Sequence, residues 1–159
     1  MSTCPLCDLK NIEQALIYTD EEIIIAPHPQ PARHGSLIIF PTAHHTIIEQ
    51  IPEQIFAKMG VFATYLSALA FEELKAQGTN IISRNGTGAG QTIPHAHIEI
   101  IPREQEDGLT LEWEAKNVQD TLLDDIFAQL TRPAKPQEPP HEPSKDEESL
   151  LTRHLRRIP

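Results

Sequence analysis

The sequence predicts an α+β domain in which an antiparallel sheet packs against one long helix, followed by a second helix and an extended tail. Three observations support this prediction: short apolar runs bounded by prolines and turn residues, one long segment with helical periodicity, and further short apolar runs after it. The 159 residues suffice for one domain with a substantial core and hardly for two.

The predicted strands lie on both sides of the long helix. Apolar runs at 15–18 and 22–26 flank Thr19-Asp20-Glu21, which is typical of a hairpin turn. The other predicted strands are residues 36–40, 80–83 and 93–101. Apolar residues spaced by three and four predict the long helix at 52–77, with Pro52 in its first turn and Gly78 at its end.

The last part of the chain has a different composition. Residues 116–130 have a second helical pattern, and 132–144 are rich in Pro, Glu and Lys, which favours an extended linker. A short amphipathic helix is predicted at 144–157. We therefore expect a domain at 1–131 and a Pro-rich linker with a tail helix at 132–159.

Charge and hydropathy exclude some classes of partner. The net charge is −10, made up of −11 over residues 1–131 and +1 over the remainder. An acidic body repels the phosphate backbone, so we expect no nucleic-acid partner; a small phosphorylated substrate would need local positive potential. No apolar run approaches the roughly 18 residues of a membrane span, and Met1–Cys7 does not resemble a secretory signal. We expect a cytoplasmic protein without a membrane partner.

The two cysteines, Cys4 and Cys7, enclose Pro-Leu near the N-terminus. In a cytoplasmic chain this spacing indicates a metal site or a redox pair rather than a structural disulfide. A thioredoxin-like motif follows a strand, and only three residues precede Cys4, so a metal site is the favoured interpretation.

The segment from Asn85 to Glu99, NGTGAGQTIPHAHIE, has the strongest chemical signal. On a strand, His95, His97 and Glu99 would share one face, while the residues between them face the core. The glycine-rich loop before them can bring backbone amides close to an anion. A neutral imidazole is a competent nucleophile toward phosphorus near pH 7.

This segment resembles the His-x-His-x-His signature of the histidine triad family. The likeness includes the preceding Asn85 and Ala-Gly-Gln elements, Ile101-Pro102-Arg103, and the upstream run 35–44, GSLIIFPTAH, which is similar to the family's strand and Pro-x-x-His. It covers roughly residues 4–104.

The resemblance implies an antiparallel sheet with a long helix, a homodimer, and hydrolase or nucleotidyltransferase activity on a nucleotide-like phosphorylated substrate. His97 would attack the phosphorus and form a covalent nucleotidyl-histidine. The residues implied to contact the substrate are Asn85, Gly90, Gln91, Thr92 and Glu99.

The resemblance also implies a structural zinc site. Tetrahedral Zn²⁺ takes four ligands, and the two thiolates of Cys4 and Cys7 would supply two of them. By the family pattern the others are His44, with His45 as the competing choice, and His95.

Two departures from the family pattern leave a second function open. Glu99 replaces the third histidine, and two unit negative charges, such as an ionised carboxylate and a phosphate oxygen, repel by about 4 kcal/mol at about 4 Å and an effective dielectric constant of about 20. Glu99 must be protonated, be paired with a cation, or face a substrate that sits differently. His28, expected in a surface loop, stands near the place of the aspartate that binds ribose in many family hydrolases. The alternative is a zinc-stabilised nucleotide-binding or regulatory module with little or no turnover.

Overall fold

A computed structural model describes residues 4–9, 16–117 and 119–131. The chain divides into two compact units, with the boundary between Leu111 and Glu112. The predicted linker and tail helix at 132–159 lie outside the described residues, so the predicted domain boundary stays a prediction.

The described part of the first unit contains two α-helices and five strands. They are α1 (Pro5–Leu9), β1 (Tyr18–Thr19), β2 (Ile23–Pro27), β3 (Leu37–Pro41), α2 (Glu53–Glu73), β4 (Gly78–Ile82) and β5 (Ile98–Arg103). Two 3₁₀ turns lie at Ile48–Gln50 and Thr87–Ala89. The described part of the second unit contains α3 (Asp120–Leu130). The predicted α+β class, with one long helix and a second helix near residue 120, is confirmed.

The five strands form one antiparallel sheet in the order β1-β2-β3-β5-β4. The predicted turn between β1 and β2 is present, and Asp20 Oδ1 accepts the backbone N–H groups of Glu22 and Ile23, both at 2.9 Å. Strand β5 lies between β3 and β4, so Glu99 pairs with Ile38 on one side and Ile82 on the other. The ends of β2 and β4 are thereby brought to the same region as the start of β5.

Both faces of the sheet are buried. One face packs against α2 through residues that include Ile25, Ile39 and Ile98. The opposite face buries alternate residues of the same strands together with Cys4 and Leu6 of the N-terminal segment. Because Leu6 is fully buried, the cysteine segment is anchored against the sheet by its own apolar side chain.

Two predicted boundaries were wrong. The strand predicted at 93–101 begins at Ile98, because the Ala96 N–H donates to His45 O at 2.6 Å instead of joining the sheet ladder. The helix predicted to reach Gln77 ends at Glu73. Lys75 adopts a left-handed conformation, with φ of 56°, and the Ala76 N–H turns back to Ala70 O at 3.1 Å.

Helix α2 is the one helix in the described ranges that is long and apolar enough to cross a membrane by length and composition. The sequence contains no unbroken apolar run long enough to cross a membrane, as expected, but the mean hydropathy of α2 does reach the value typical of a membrane-spanning helix. Met59, Ala63 and Leu66 of α2 are buried in the core that this helix forms with the sheet. A core helix with one packed face passes the same hydropathy test.

Two glycines should respond oppositely to alanine. Gly35 has φ of +84°, and an added Cβ would lie 2.8 Å from Leu74 Cδ1, so Gly35→Ala should lower the free energy of unfolding by about 1–2 kcal/mol. Gly60 lies inside α2 with nothing within 4 Å of an added Cβ, so Gly60→Ala should raise it by up to about 1 kcal/mol. Urea unfolding of both variants tests the pair, and the same sign in both would contradict it.

Candidate active site and metal centre

The segment around His97 buries polar side chains. His95, His97 and Glu99 are 1%, 4% and 6% exposed. Ala96 and Ile98 point into the core beside α2, as the predicted alternation requires. The backbone of His97 is held by Ser83, whose hydroxyl donates to His97 O at 2.7 Å. The alternation therefore begins several residues before β5, and the three polar side chains lie on the face opposite to α2.

The imidazole of His97 is oriented by its own chain. Its Nδ1 lies 2.6 Å from His95 O. A carbonyl oxygen only accepts, so Nδ1 carries the hydrogen and Nε2 of the neutral ring carries the lone pair. Nε2 lies 3.5 Å from Glu99 Oε1. The ring is thus fixed in the tautomer that a nucleophile at Nε2 needs.

A cavity of about 140 Å³ opens beside this nitrogen. Of the predicted site residues, Gln91, Thr92, His97 and Glu99 line the cavity. Its polar lining consists mainly of His28, Arg84, Gln91, Thr92, His97 and Glu99.

Glu99 is paired with a cation, which answers the question left open by the sequence. The Arg84 guanidinium donates to Glu99 Oε1. Burial alone would raise the pKa of Glu99, but the neighbouring His97 ring and the hydrogen bond and charge of Arg84 outweigh it and lower the pKa to about 2. The carboxylate is therefore ionised, and its charge is balanced by Arg84.

His28 lies in the cavity, so the expectation of a surface loop was wrong. Its side chain is 10% exposed, and its Nε2 lies 3.8 Å from Glu99 Oε2. The Gln30 N–H donates to His28 Nδ1 at 3.1 Å. Burial lowers the pKa of His28, against the opposing effect of the Glu99 charge. Because Nδ1 accepts the Gln30 N–H, the hydrogen of the neutral ring is on Nε2, and Glu99 Oε2 lies 3.8 Å from that nitrogen.

Besides Glu99, three of the predicted substrate contacts have protein partners. Asn85 donates to both carboxylate oxygens of Glu49 and accepts the Ile48 N–H. The Gly90 N–H donates to Thr87 O. Gln91 lines the cavity, but its amide accepts the Gly86 N–H and donates to two carbonyl oxygens. These contacts fix the glycine-rich loop. That Asn85, Gly90, Gln91, Thr92 and Glu99 contact substrate remains a prediction.

The four predicted metal ligands lie together. The sulfur and ring-nitrogen atoms of Cys4, Cys7, His44 and His95 are all within 4.8 Å of one another. His95 Nδ1 lies 3.5 Å from Cys4 Sγ and 3.6 Å from Cys7 Sγ, and His44 Nδ1 lies 3.3 Å from Cys7 Sγ. The geometry favours His44 over His45. Two thiolates with two imidazoles are a donor set that suits tetrahedral zinc.

His95 is prepared to act as a ligand. Its Nε2 lies 3.0 Å from Pro41 O, so Nε2 carries the hydrogen and Nδ1, which faces the sulfurs, is unprotonated. Burial lowers the pKa of His95 to about 4, which keeps the ring neutral. The same residue supplies the carbonyl that fixes His97, so the metal site and the nucleophile share one segment of backbone.

Sequence reasoning missed Arg84 and the position of His28. Arg84 is the one basic residue between Lys75 and Arg103, directly before the glycine-rich loop, and this isolation in an acidic body was an available signal. His28 stands between two prolines, which predicted a surface loop, although the end of β2 lies beside Glu99.

The Glu99 pair should make stability depend on pH. The pKa of Glu99 falls from the ordinary 4.5 to about 2 on folding, so its stabilising effect is complete above pH 4.5 and is lost as the pH falls toward 2. This difference corresponds to about 3 kcal/mol. Urea unfolding across this range should show a steeper loss in the native chain than in Glu99→Gln. Parallel losses would contradict the assignment.

The chain is similar to known proteins over most of its length. The sequence model of the HIT domain matches residues 9–106. An uncharacterized HIT-like protein of Methanocaldococcus jannaschii is 27% identical, over 80% of this chain and 98% of that protein. An adenylylsulfatase of Arabidopsis thaliana is 30% identical over 67% of this chain and 55% of its own length. An adenosine 5'-monophosphoramidase of Saccharomyces cerevisiae is 26% identical, over 64% and 62%.

A solved structure has the same fold. The zinc-bound histidine triad family protein from Mycobacterium smegmatis superimposes with a TM-score of 0.63 at 26% identity. The match covers 81% of this chain and 96% of that one.

Proposed function

Because this chain belongs to the histidine triad (HIT) family, we propose that it cleaves a phosphoanhydride or phosphoramidate bond of a nucleotide-like substrate through a nucleotidyl-His97 intermediate. Hydrolysis and nucleotidyl transfer differ only in the acceptor, water or another group. The adenylylsulfatase and the monophosphoramidase among its relatives support hydrolysis of an adenylylated substrate.

One observation carries the proposal: His97 Nε2 has its lone pair fixed toward a polar cavity. The bond from Nδ1 to His95 O sets this tautomer, and burial restricts the ring. The carbonyl would also stabilise the positive charge that develops on the ring during attack. In the first step a bond forms between Nε2 and phosphorus as the leaving group departs. In the second step, the oxygen of water or another acceptor group forms a bond to phosphorus as the bond between Nε2 and phosphorus breaks.

Zinc would be held by Cys4, Cys7, His44 and His95. Four protein ligands leave no open position, so the metal would act as a structural staple that ties the N-terminal segment to the backbone before His97. The chemistry at phosphorus is carried by the cavity residues.

Glu99 favours the second candidate, a nucleotide-binding or regulatory module without turnover. An ionised carboxylate 3.5 Å from Nε2 opposes the approach of a phosphate, and its pairing with Arg84 only partly offsets this. The two candidates differ in whether a bond to His97 forms.

Trapping the adduct separates them. The chain is mixed with adenosine 5'-phosphoramidate or adenylyl sulfate, quenched rapidly, and analysed by intact and peptide mass spectrometry. We expect an adenylyl group on the peptide that carries His97, and none in His97→Ala. Binding of adenosine monophosphate without adduct or turnover would instead establish the binding module.

We also propose a homodimer, as the resemblance implied. Strand β4 is an edge of the sheet, and Ile81 on it and Val61 on α2 are 48% and 54% exposed. Apolar side chains at a sheet edge are suited to pairing with a second copy. Sedimentation equilibrium should give twice the chain mass, and a monomer at micromolar concentration would contradict the proposal.

A further inference from the structure

We propose that His28 and Arg84 form a binding site for the nonbridging oxygens of a phosphoryl group, and that the Glu99 carboxylate occupies this site when no substrate is bound. The inference rests on the proposed phosphoryl chemistry at His97. It assigns the positive and donating groups of the cavity to residues directly after β2 and shortly after β4, whereas the third position of the His-x-His-x-Glu row carries an acid.

The contacts of Glu99 are those an oxyanion would make. Arg84 donates to Oε1, and His28 Nε2 lies 3.8 Å from Oε2. The carboxylate oxygen nearest to each group is a different one: Arg84 is hydrogen-bonded to Oε1, whereas His28 Nε2 lies beyond hydrogen-bond distance from Oε2. His97 Nε2 lies 3.5 Å from Oε1, which puts the nucleophile next to the same group. A tetrahedral phosphoryl group also presents separate oxygens to separate donors.

The tautomer of His28 makes it a donor rather than a metal ligand. Since the Gln30 N–H donates to Nδ1, the hydrogen of the neutral ring must be on Nε2. A metal at Nε2 would move that hydrogen to Nδ1, against the Gln30 N–H. His28, His97 and Glu99 have a spacing that could hold a metal ion, but this hydrogen bond opposes it.

Arg84 supplies the charge. It borders the cavity with 32% of its side chain exposed, so it can reach a ligand while keeping its place. The guanidinium presents several N–H groups, and one that serves Glu99 leaves others for a phosphoryl oxygen. An incoming phosphate competes with Glu99 for Arg84 and is repelled by the same carboxylate, which predicts that removing the carboxylate charge strengthens phosphate binding.

Calorimetric titration with inorganic phosphate tests the site without requiring turnover. Two double variants, His28→Leu/Glu99→Gln and Arg84→Gln/Glu99→Gln, are compared with Glu99→Gln alone. Each should bind phosphate at least about tenfold more weakly, as loss of a hydrogen bond to a charged group predicts. Glu99→Gln itself should bind at least about tenfold more tightly than the native chain.

Two further variants keep the test decisive. Arg84→Lys retains the charge and should keep part of the affinity even if Arg84→Gln folds poorly. His34→Gln replaces an exposed histidine outside the cavity and should leave phosphate affinity unchanged. Equal phosphate affinity across the His28, Arg84 and Glu99 variants, or no phosphate binding by any of them, would overturn the proposal.

Sulfur substitution then assigns each donor to an oxygen. Each diastereomer of an α-thio adenosine 5'-phosphoramidate replaces one nonbridging oxygen, and sulfur accepts hydrogen bonds poorly. The rate loss for one diastereomer should shrink about tenfold in His28→Leu, and that for the other in Arg84→Gln/Glu99→Gln. Unchanged rate losses in both variants would contradict direct contact. If phosphate binding follows the prediction but no His97 adduct forms, the proposed function fails and this site stands.

Discussion

Replacing His97 with alanine is expected to lower kcat for adenosine 5'-phosphoramidate by about 10⁴-fold or more, as the loss of a covalent nucleophile does in other enzymes. Of the buried nitrogens in the described part of the chain, His97 Nε2 is the one with its lone pair fixed toward the cavity, while His95 directs Nδ1 to the thiols. The KM should change by much less than kcat, because Arg84 and His28 are untouched.

The fold should survive this substitution. The backbone of His97 is held by Ser83, and Ala96 and Ile98 keep their places in the core. His34→Ala, at an exposed position, is the matched control and should retain full activity. Steady-state kinetics on both variants, with circular dichroism as a folding check, decide the matter. Activity in His97→Ala within about tenfold of the native chain would exclude the covalent route.

Removing zinc is expected to destabilise the chain by about 4 kcal/mol where free zinc exceeds its Kd about 1,000-fold. The ligands come from the N-terminal segment, the loop after β3 and the segment before β5, so the metal would connect distant parts of the sequence. Urea unfolding with and without a chelator measures the difference, and elemental analysis should find one zinc per chain.

Cys4→Ser supplies the control for zinc. Its unfolding curve should lie near that of the chelated native chain and should not respond to chelator or added zinc. Activity should fall as well, because the His95 carbonyl that orients His97 belongs to a ligand residue. Identical unfolding curves of the native chain with and without chelator would contradict the metal site and would revive the redox interpretation of the two thiols.

The sequence was sufficient for the fold class because the relevant patterns are local. Proline-bounded apolar runs predicted the strands, and the three-and-four spacing predicted α2. The errors occurred where tertiary contacts replaced local preference. The Ala96 N–H donates to His45 O outside the sheet. Lys75 follows the helix in a left-handed conformation, which is not predictable from a lysine in the sequence.

The site was predictable where spacing along the chain decided it. Residues two apart near a strand share a face, which put His97 and Glu99 together. The partner of Glu99 depends on the register of β4 against β5, since Ile82 pairs with Glu99 and Arg84 follows shortly after. Register is set by packing over the whole sheet, so neither Arg84 nor His28 could be placed beside Glu99 from sequence spacing.

The site differs from the family pattern at two positions, Glu99 and His28. An acid stands where a third histidine is usual in the signature, and an imidazole faces it from the end of β2. Arg84 compensates the acid. The double variant His28→Asp/Glu99→His would introduce the residues that the resemblance to the family implies at these two places, and its activity relative to the single variants would report how far the two positions act as one unit.

The covalent intermediate at His97 is tested most directly by the stereochemical course at phosphorus. One diastereomer of α-thio adenosine 5'-phosphoramidate is hydrolysed in heavy-oxygen water, and the configuration of the product is determined. Two successive in-line displacements, at His97 and then by water, predict net retention. Net inversion would mean that water attacks the substrate directly and would contradict the account of His97 as the nucleophile.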